Sequence, residues 1–259
     1  MAQETGCGDR LQRDEELVGW LTGSPGRELV TRESCCVEEL LSGLFGYYVL
    51  QVGWPQAFTD SVAHSRIRHH LTLEADFPGR GAGNTLIGSE LAFPVAGDSI
   101  DVVFLPHVLE FSTDPHQVLR ETERVLIPEG RVIVLGFNPV STWGMWRLFR
   151  QRSGQMPWCG RFLTPLRVTD WLSLLGFDIE EQRPLMFLPP LARAGLLRRF
   201  QSLEPLGQRW LSMFSAAYAI RAVKRVSTLT PIQPIWKTRS RLLPGQAVEP
   251  TARTSTRCL

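Results

Sequence analysis

Ser99-Ile100-Asp101-Val102-Val103-Phe104-Leu105-Pro106 is the stretch on which the fold turns. Its apolar run is too short for an ordinary helix and too continuous for a strand with one wet face, so it predicts a strand buried on both sides. Downstream, Asp114-Pro115 reads as a helix start: the carboxylate accepts an orphan backbone N–H and the proline suits the first turn. That helix runs to about Leu126, Pro128-Glu129-Gly130 ends it, and Arg131 to Phe137 supplies another strand at once. Upstream, Tyr47 to Gly53 reads as a strand, Ala57 to His64 as a helix, and His69 to Glu74 and Asn84 to Ile87 as further strands. Past Phe137, a helix near Leu166 to Leu175 stops at Gly176 and a strand follows from Phe177 to Pro184. Strands alternating with helices at this spacing predict an α/β fold with a doubly wound parallel sheet, because parallel neighbours need crossovers that cover both faces.

The flanks are different. Residues 1–24 read as a loose polar arm, and Leu29, Val30, Cys36, Val37, Leu40, Leu41 and Leu44 recur at helical spacing from Gly26 onward. The expected division is therefore an arm and amphipathic helix over 1–44, a sheet domain over 45–230 and a disordered tail over 244–259. Within the domain, Asn138 to Pro165 reads as an irregular, lid-like insertion rich in Trp, Arg and Pro. Ala216 to Val226 could be a strand or a helix on periodicity alone. Of 259 residues 43% are hydrophobic, enough for a full core, and this excludes a disulfide miniprotein or a wholly disordered chain. No window holds an apolar run long enough to span a membrane, and the N-terminus lacks a signal-like apolar core, so the expected address is cytoplasmic. Five cysteines without a CxxC pair read as reduced thiols. Net charge sums to −5 over residues 1–46, −3 over 47–190 and +10 over 191–259, so any pull on nucleic acid or anionic lipid would come from the last third. No specific nucleic-acid motif accompanies it.

In an open parallel sheet, ligands sit at the carboxyl ends of the strands where the strand order reverses. An acidic residue about 20 positions after the first-strand glycine can accept both hydroxyls of a ribose. Glu74 lies 21 residues past Gly53, with Asp76 as its near competitor.

The central block then becomes specific. Ser89-Glu90-Leu91-Ala92-Phe93-Pro94, Asp98 to Val103, Leu105-Pro106-His107-Val108-Leu109-Glu110-Phe111, Asp114-Pro115 and Leu119 to Gly130 resemble, in order and spacing, the central half of a class I S-adenosylmethionine-dependent methyltransferase of the type 11 kind. The likeness covers roughly residues 45–185. It implies a Rossmann-like, mostly parallel seven-stranded sheet with S-adenosylmethionine as cofactor. It also implies cofactor-binding roles for Gly53, Glu74, Glu90, Leu91, Leu105 and Pro106, with Glu90 and Leu91 flanking the adenine. His107, just after the fourth strand, is the candidate catalytic base for an oxygen or nitrogen acceptor.

Departures from the pattern matter as much. The family's first strand ends in an acidic residue and a glycine-rich turn, whereas this chain has Gln51-Val52-Gly53-Trp54-Pro55-Gln56 with one glycine remaining. The altered turn, read with Pro25 to Leu29 and Phe45 to Tyr47, resembles a bacterial branch with a degenerate first motif. Leu105-Pro106-His107 also lacks the Asn/Asp-Pro-Pro-Tyr/Phe signature of many amino-methylating enzymes, which disfavours a nucleobase amine as acceptor. Arg147, Arg150, Arg152 and Arg161 in the insertion invite an anionic acceptor, and its tryptophans an apolar or planar one. His64, His69 and His70 do not make a metal site, because adjacent strand residues point to opposite faces. The leading expectation is a methyltransferase acting on a small molecule or a macromolecule that the sequence does not identify. The rival is an inactive module of the same fold, binding through its basic last third. A nicotinamide enzyme is disfavoured by the missing G-x-G-x-x-G. Oligomeric state is not encoded in any motif read here.

Overall fold

The computed structural model describes residues 16, 17, 19–23, 26–53, 55–75, 84–150, 155–187 and 214–226. The basic material over 191–213, the expected tail, Asp76 and Trp54 lie outside them. The first half of the chain forms α1 (Gly26–Ser42), β1 (Phe45–Val52), α2 (Pro55–Ala63), β2 (Arg66–Glu74), β3 (Thr85–Ile87) and β4 (Ile100–Pro106). The second half forms α3 (Val108–Phe111), α4 (Pro115–Val125), β5 (Leu126–Phe137), α5 (Thr142–Arg150), α6 (Pro165–Leu174), β6 (Phe177–Leu185) and β7 (Ala217–Lys224).

All seven strands join one sheet in the order β3-β2-β1-β4-β5-β7-β6. Pairing is parallel from β3 through β5, but β7 is antiparallel to both β5 and β6. The sheet is thus mixed, not purely parallel, because β7 lies between β5 and β6 and runs opposite to both. Periodicity left β7 open between strand and helix. With Tyr218, Ile220 and Ala222 on one core and Ala219 on the other, both of its faces are buried, which removes the alternation that would have marked it.

Residue parity sorts the core into two layers, as a period of two requires. Val102, Phe104, Ile133 and Leu135 point at α1 and α2, meeting Val37, Leu40, Leu41, Phe58 and Val62. Val103, Leu105, Val132 and Val134 point the other way, onto Val118 and Leu119 of α4 and Val168 and Leu172 of α6. Each such side chain contributes about 1.5–3 kcal/mol of hydrophobic stabilisation when fully buried. Asp114 caps α4 as expected, its side chain accepting from His116 N and Gln117 N at 3.1 Å each.

Several local expectations are corrected. The Pro128-Glu129-Gly130 turn is not a stop between helix and strand, since β5 already begins at Leu126. Glu129 takes φ 63, a backbone region that favours glycine, and its carboxylate pairs with Arg225. The insertion after β5 is not irregular throughout, for it holds α5. Nor is the arm loose where it is described: Leu17 and Leu21 are buried against Met156. Cys35 and Cys36 are free thiols, but Cys159 is disulfide-bonded rather than reduced.

Candidate functional site

Parallel register lines up the carboxyl ends of neighbouring strands. Val52 pairs with Leu73, Glu74 with Ile87, and Gln51 with Phe104. Gly53, Glu74 and Leu105-Pro106 therefore stand on one rim, and Glu90 and Leu91 follow β3 on the same side. The strand order reverses between β1 and β4, because the chain passes from β3 across β1 to reach β4. This is the crevice in which open α/β sheets take ligands.

Gly53 takes φ +70, and among the described residues a Cβ built on it meets nothing within 4 Å. The backbone there is left-handed, a conformation that glycine adopts without strain and that allows close approach to the main chain. Its N–H donates to Leu73 O at 2.8 Å, tying the turn to β2. Gln51, where the family pattern has a carboxylate, is buried and donates from Nε2 to Gly53 O at 3.2 Å, bracing the turn from below. Pro55 is the first residue of α2, not a loop residue, a position where its missing N–H is tolerated. Glu74, Glu90 and Leu91 are partly exposed, whereas Leu105 and Pro106 are buried, so the last two can offer a ligand backbone only. Leu91 is held by its N–H to Ser89 Oγ and its carbonyl to Gln117 Nε2.

His107 sits on the same rim in a different setting. It takes φ 52, is fully buried, and its imidazole stacks on Phe137 at 4.1 Å. Nε2 lies 2.9 Å from Glu33 Oε1 and Nδ1 lies 3.4 Å from Glu110 Oε1. Both glutamates are buried, and Glu110 Oε1 also accepts the Phe137 N–H at 2.6 Å. Among the described residues, Glu33 Oε2 and Glu110 Oε2 have no hydrogen-bond partner. Burial would push the His107 pKa down, but the Glu33 carboxylate, with the hydrogen bonds from Glu110 and Glu33, overrides it and holds the value up to about 10. At neutral pH the ring is an imidazolium between two carboxylates, with no lone pair to accept a proton. Tyr218, buried near Glu110, has its phenol pushed well above the usual range by burial and then by that charge.

Above this triad the rim is filled. Phe137, Trp143 and Phe162 stack at 5.9 and 4.9 Å, while Trp20 meets Trp143 edge-on at 5.7 Å. Trp158 completes the cluster. Trp143 and Trp158 of the expected lid thus pack on their own domain, whereas Trp146 is exposed.

Glu33 was not visible as a site residue, yet its signal was present. It lies four residues after Leu29 and three before Cys36, on the apolar stripe of α1, where a carboxylate is out of place unless paired. Of the three histidines dismissed as a metal site, His69 stacks on Tyr48 while His70 Nε2 contacts Ser65 and Ile67 O.

Residues 65–134 match a methyltransferase domain family. The match starts after β1, leaving out the departed turn. An uncharacterized protein of Escherichia coli strain K12, YafS, is 34% identical over 146 residues, which are 56% of this chain and 59% of that protein. The chain thus spans about six-tenths of the length of that curated relative. Among solved structures, an S-adenosylmethionine-dependent methyltransferase from Thermotoga maritima superposes with a TM-score of 0.61 at 19% identity, covering 83% of this chain and 97% of that one. A chain of a complex with the Trm112 methyltransferase activator of Haloferax volcanii gives 0.61 at 16% identity, covering 85% of this chain and 100% of that one. Over residues 65–134 the chain is therefore similar to a methyltransferase domain, and its fold is the one seen in solved S-adenosylmethionine-dependent methyltransferases of class I.

Proposed function

We propose that the protein binds S-adenosylmethionine at the β1/β4 crevice and transfers its methyl group to an acceptor. One observation carries the reading: Gly53, left-handed and with no described residue within 4 Å of a Cβ built on it, directly follows Val52, whose register partner Leu73 directly precedes Glu74. That cradle fits the group. Glu74 would accept the ribose hydroxyls, Glu90 and Leu91 would flank the adenine, and the Gly53 and Leu105-Pro106 backbones would face the rest. When bound, the cofactor supplies a methyl group on a sulfonium, which leaves by in-line displacement, so the chain's main task is orientation. His107 fits a positioning role better than that of a base: as an imidazolium it clips α1, through Glu33, to the start of α3, through Glu110. This fixes the rim at the end of β4.

Titration calorimetry with S-adenosylmethionine and with its demethylated product tests this. Saturable heat is expected for both, and Glu74→Ala should weaken binding by roughly tenfold or more, the loss of about 1.5–3 kcal/mol from hydrogen bonds to a charged group. Absence of heat at millimolar ligand, with no thermal shift, would sink the proposal.

A further inference from the structure

Helix α5 wears its apolar side outward. Trp143 and Gly144 are buried, and Arg147 lies half-buried beside them. On the opposite arc, Met145, Leu148 and Phe149 are 62, 62 and 82% exposed, and Trp146 is 39% exposed. At 100° per residue these four occupy one continuous face with Phe149 near its centre. Val140, just before the helix, is exposed as well. A soluble surface scatters such residues singly; a contiguous set of this size marks an interaction site.

Charge narrows the occupant. Between Asn138 and Thr164 the chain has no Asp or Glu, yet it has Arg147, Arg150, Arg152 and Arg161. The Arg150 guanidinium lies 5.8 Å over the Trp146 ring, at the margin of the apolar face. Arg147 is anchored through Nε to Gly160 O at 2.6 Å and over the Phe162 ring at 5.4 Å. Its pKa is lowered by burial and by the neighbouring Arg161, so two positive charges stand close together here. An outward face of Phe, Leu, Met and Trp, rimmed by arginine and free of acidic residues, has the chemistry of a helix lying in the headgroup zone of an anionic bilayer. Among the described residues no helix is long and apolar enough to cross a membrane, so the contact would be interfacial. Trp143, on the inner side of the same helix, belongs to the aromatic cluster over His107. Docking would therefore set the carboxyl rim of the sheet against the lipid.

We propose that α5 is a docking helix for an anionic lipid surface, with Phe149 and Leu148 entering the bilayer boundary and the arginines meeting the headgroups. The inference does not depend on methyl transfer, and its test is run without S-adenosylmethionine. The full chain is floated with vesicles of phosphatidylcholine alone, and with vesicles of about three parts phosphatidylcholine to one part phosphatidylglycerol. Co-flotation with the anionic vesicles, much reduced on neutral ones and at about 0.5 M NaCl, is expected. The double variant Leu148→Asp with Phe149→Asp should bind at least about tenfold more weakly while keeping the wild-type circular dichroism and melting curve, since both side chains are exposed. Phe149→Ser alone serves if the double variant misfolds, and should show a smaller loss. Failure of the wild type to float with anionic vesicles would overturn the proposal. So would equal flotation of a folded variant, or a wild-type dimer that Phe149→Asp dissociates without any vesicle binding, which would give the face to a second copy.

Discussion

The two halves of the carboxyl rim are built in opposite ways. At the ends of β1 and β2 the described residues leave room: none comes within 4 Å of a Cβ built on Gly53, and Glu74 is partly exposed. At the ends of β4 and β5 it leaves none, with His107, Phe137 and Trp143 all fully buried. One half, as far as it is described, is shaped by backbone and partly exposed side chains. The other is shaped by packed side chains around a buried charge cluster, and its role is to hold position. The difference teaches that a pattern of residue types at a strand end does not say whether the site is open; burial decides that.

Substitutions can break the contrast, and the largest effect is expected at His107. His107→Ala removes the only described hydrogen-bond partner of Glu33 and leaves two carboxylates buried, so it should destabilise the fold by about 3–5 kcal/mol in urea unfolding. A loss below about 1 kcal/mol would mean that the carboxylates are reached by water. Gly144→Ala should come next. Its Cβ would lie 1.9 Å from Pro139 O, a backbone atom, and overpacking of this kind costs about 1–3 kcal/mol or more. Gly53→Ala, on the open half, faces no clash and should cost only about 1–2 kcal/mol for the left-handed backbone. If Gly53→Ala proved the more damaging of the two glycine changes, the open-versus-packed distinction would fail.

The pH profile sharpens the same point. His107 has a raised pKa in the folded state, so its contribution is fully present below the ordinary histidine value of about 6.5 and is lost as pH rises toward about 10. Thermal midpoints of the wild type should fall across that window, and those of His107→Gln should fall less. Parallel curves would show that the imidazole does not titrate there.

Much of the fold was legible because its strands announce themselves. Val102 to Leu105 and Val132 to Leu135 are buried on both faces, and the Asp114-Pro115 cap is a local signal that the structure keeps. Helix α5 escaped notice because its apolar side faces outward, so the usual stripe is inverted and Gly144 interrupts the run. That Gly53 and Glu74 stand on one rim was readable from spacing alone, since β1, α2 and β2 follow one another in sequence. The packed half was not, because the Glu33–His107 pair joins residues 74 positions apart. No local period reports a partner at that distance. The Glu33 anomaly on the α1 stripe showed only that something must meet it.

The position of β7 has a consequence for how the chain is made. Residues 217–224 fill the gap between β5 and β6, and Lys224 locks them by donating from Nζ to Glu123 O and Leu126 O at 2.8 Å each. During synthesis this strand leaves the ribosome last among the seven, so until it arrives β5 presents a bare edge of unpaired amides and β6 has no neighbour. A nascent chain arrested before Ala217 would be a template for aggregation rather than a shortened domain.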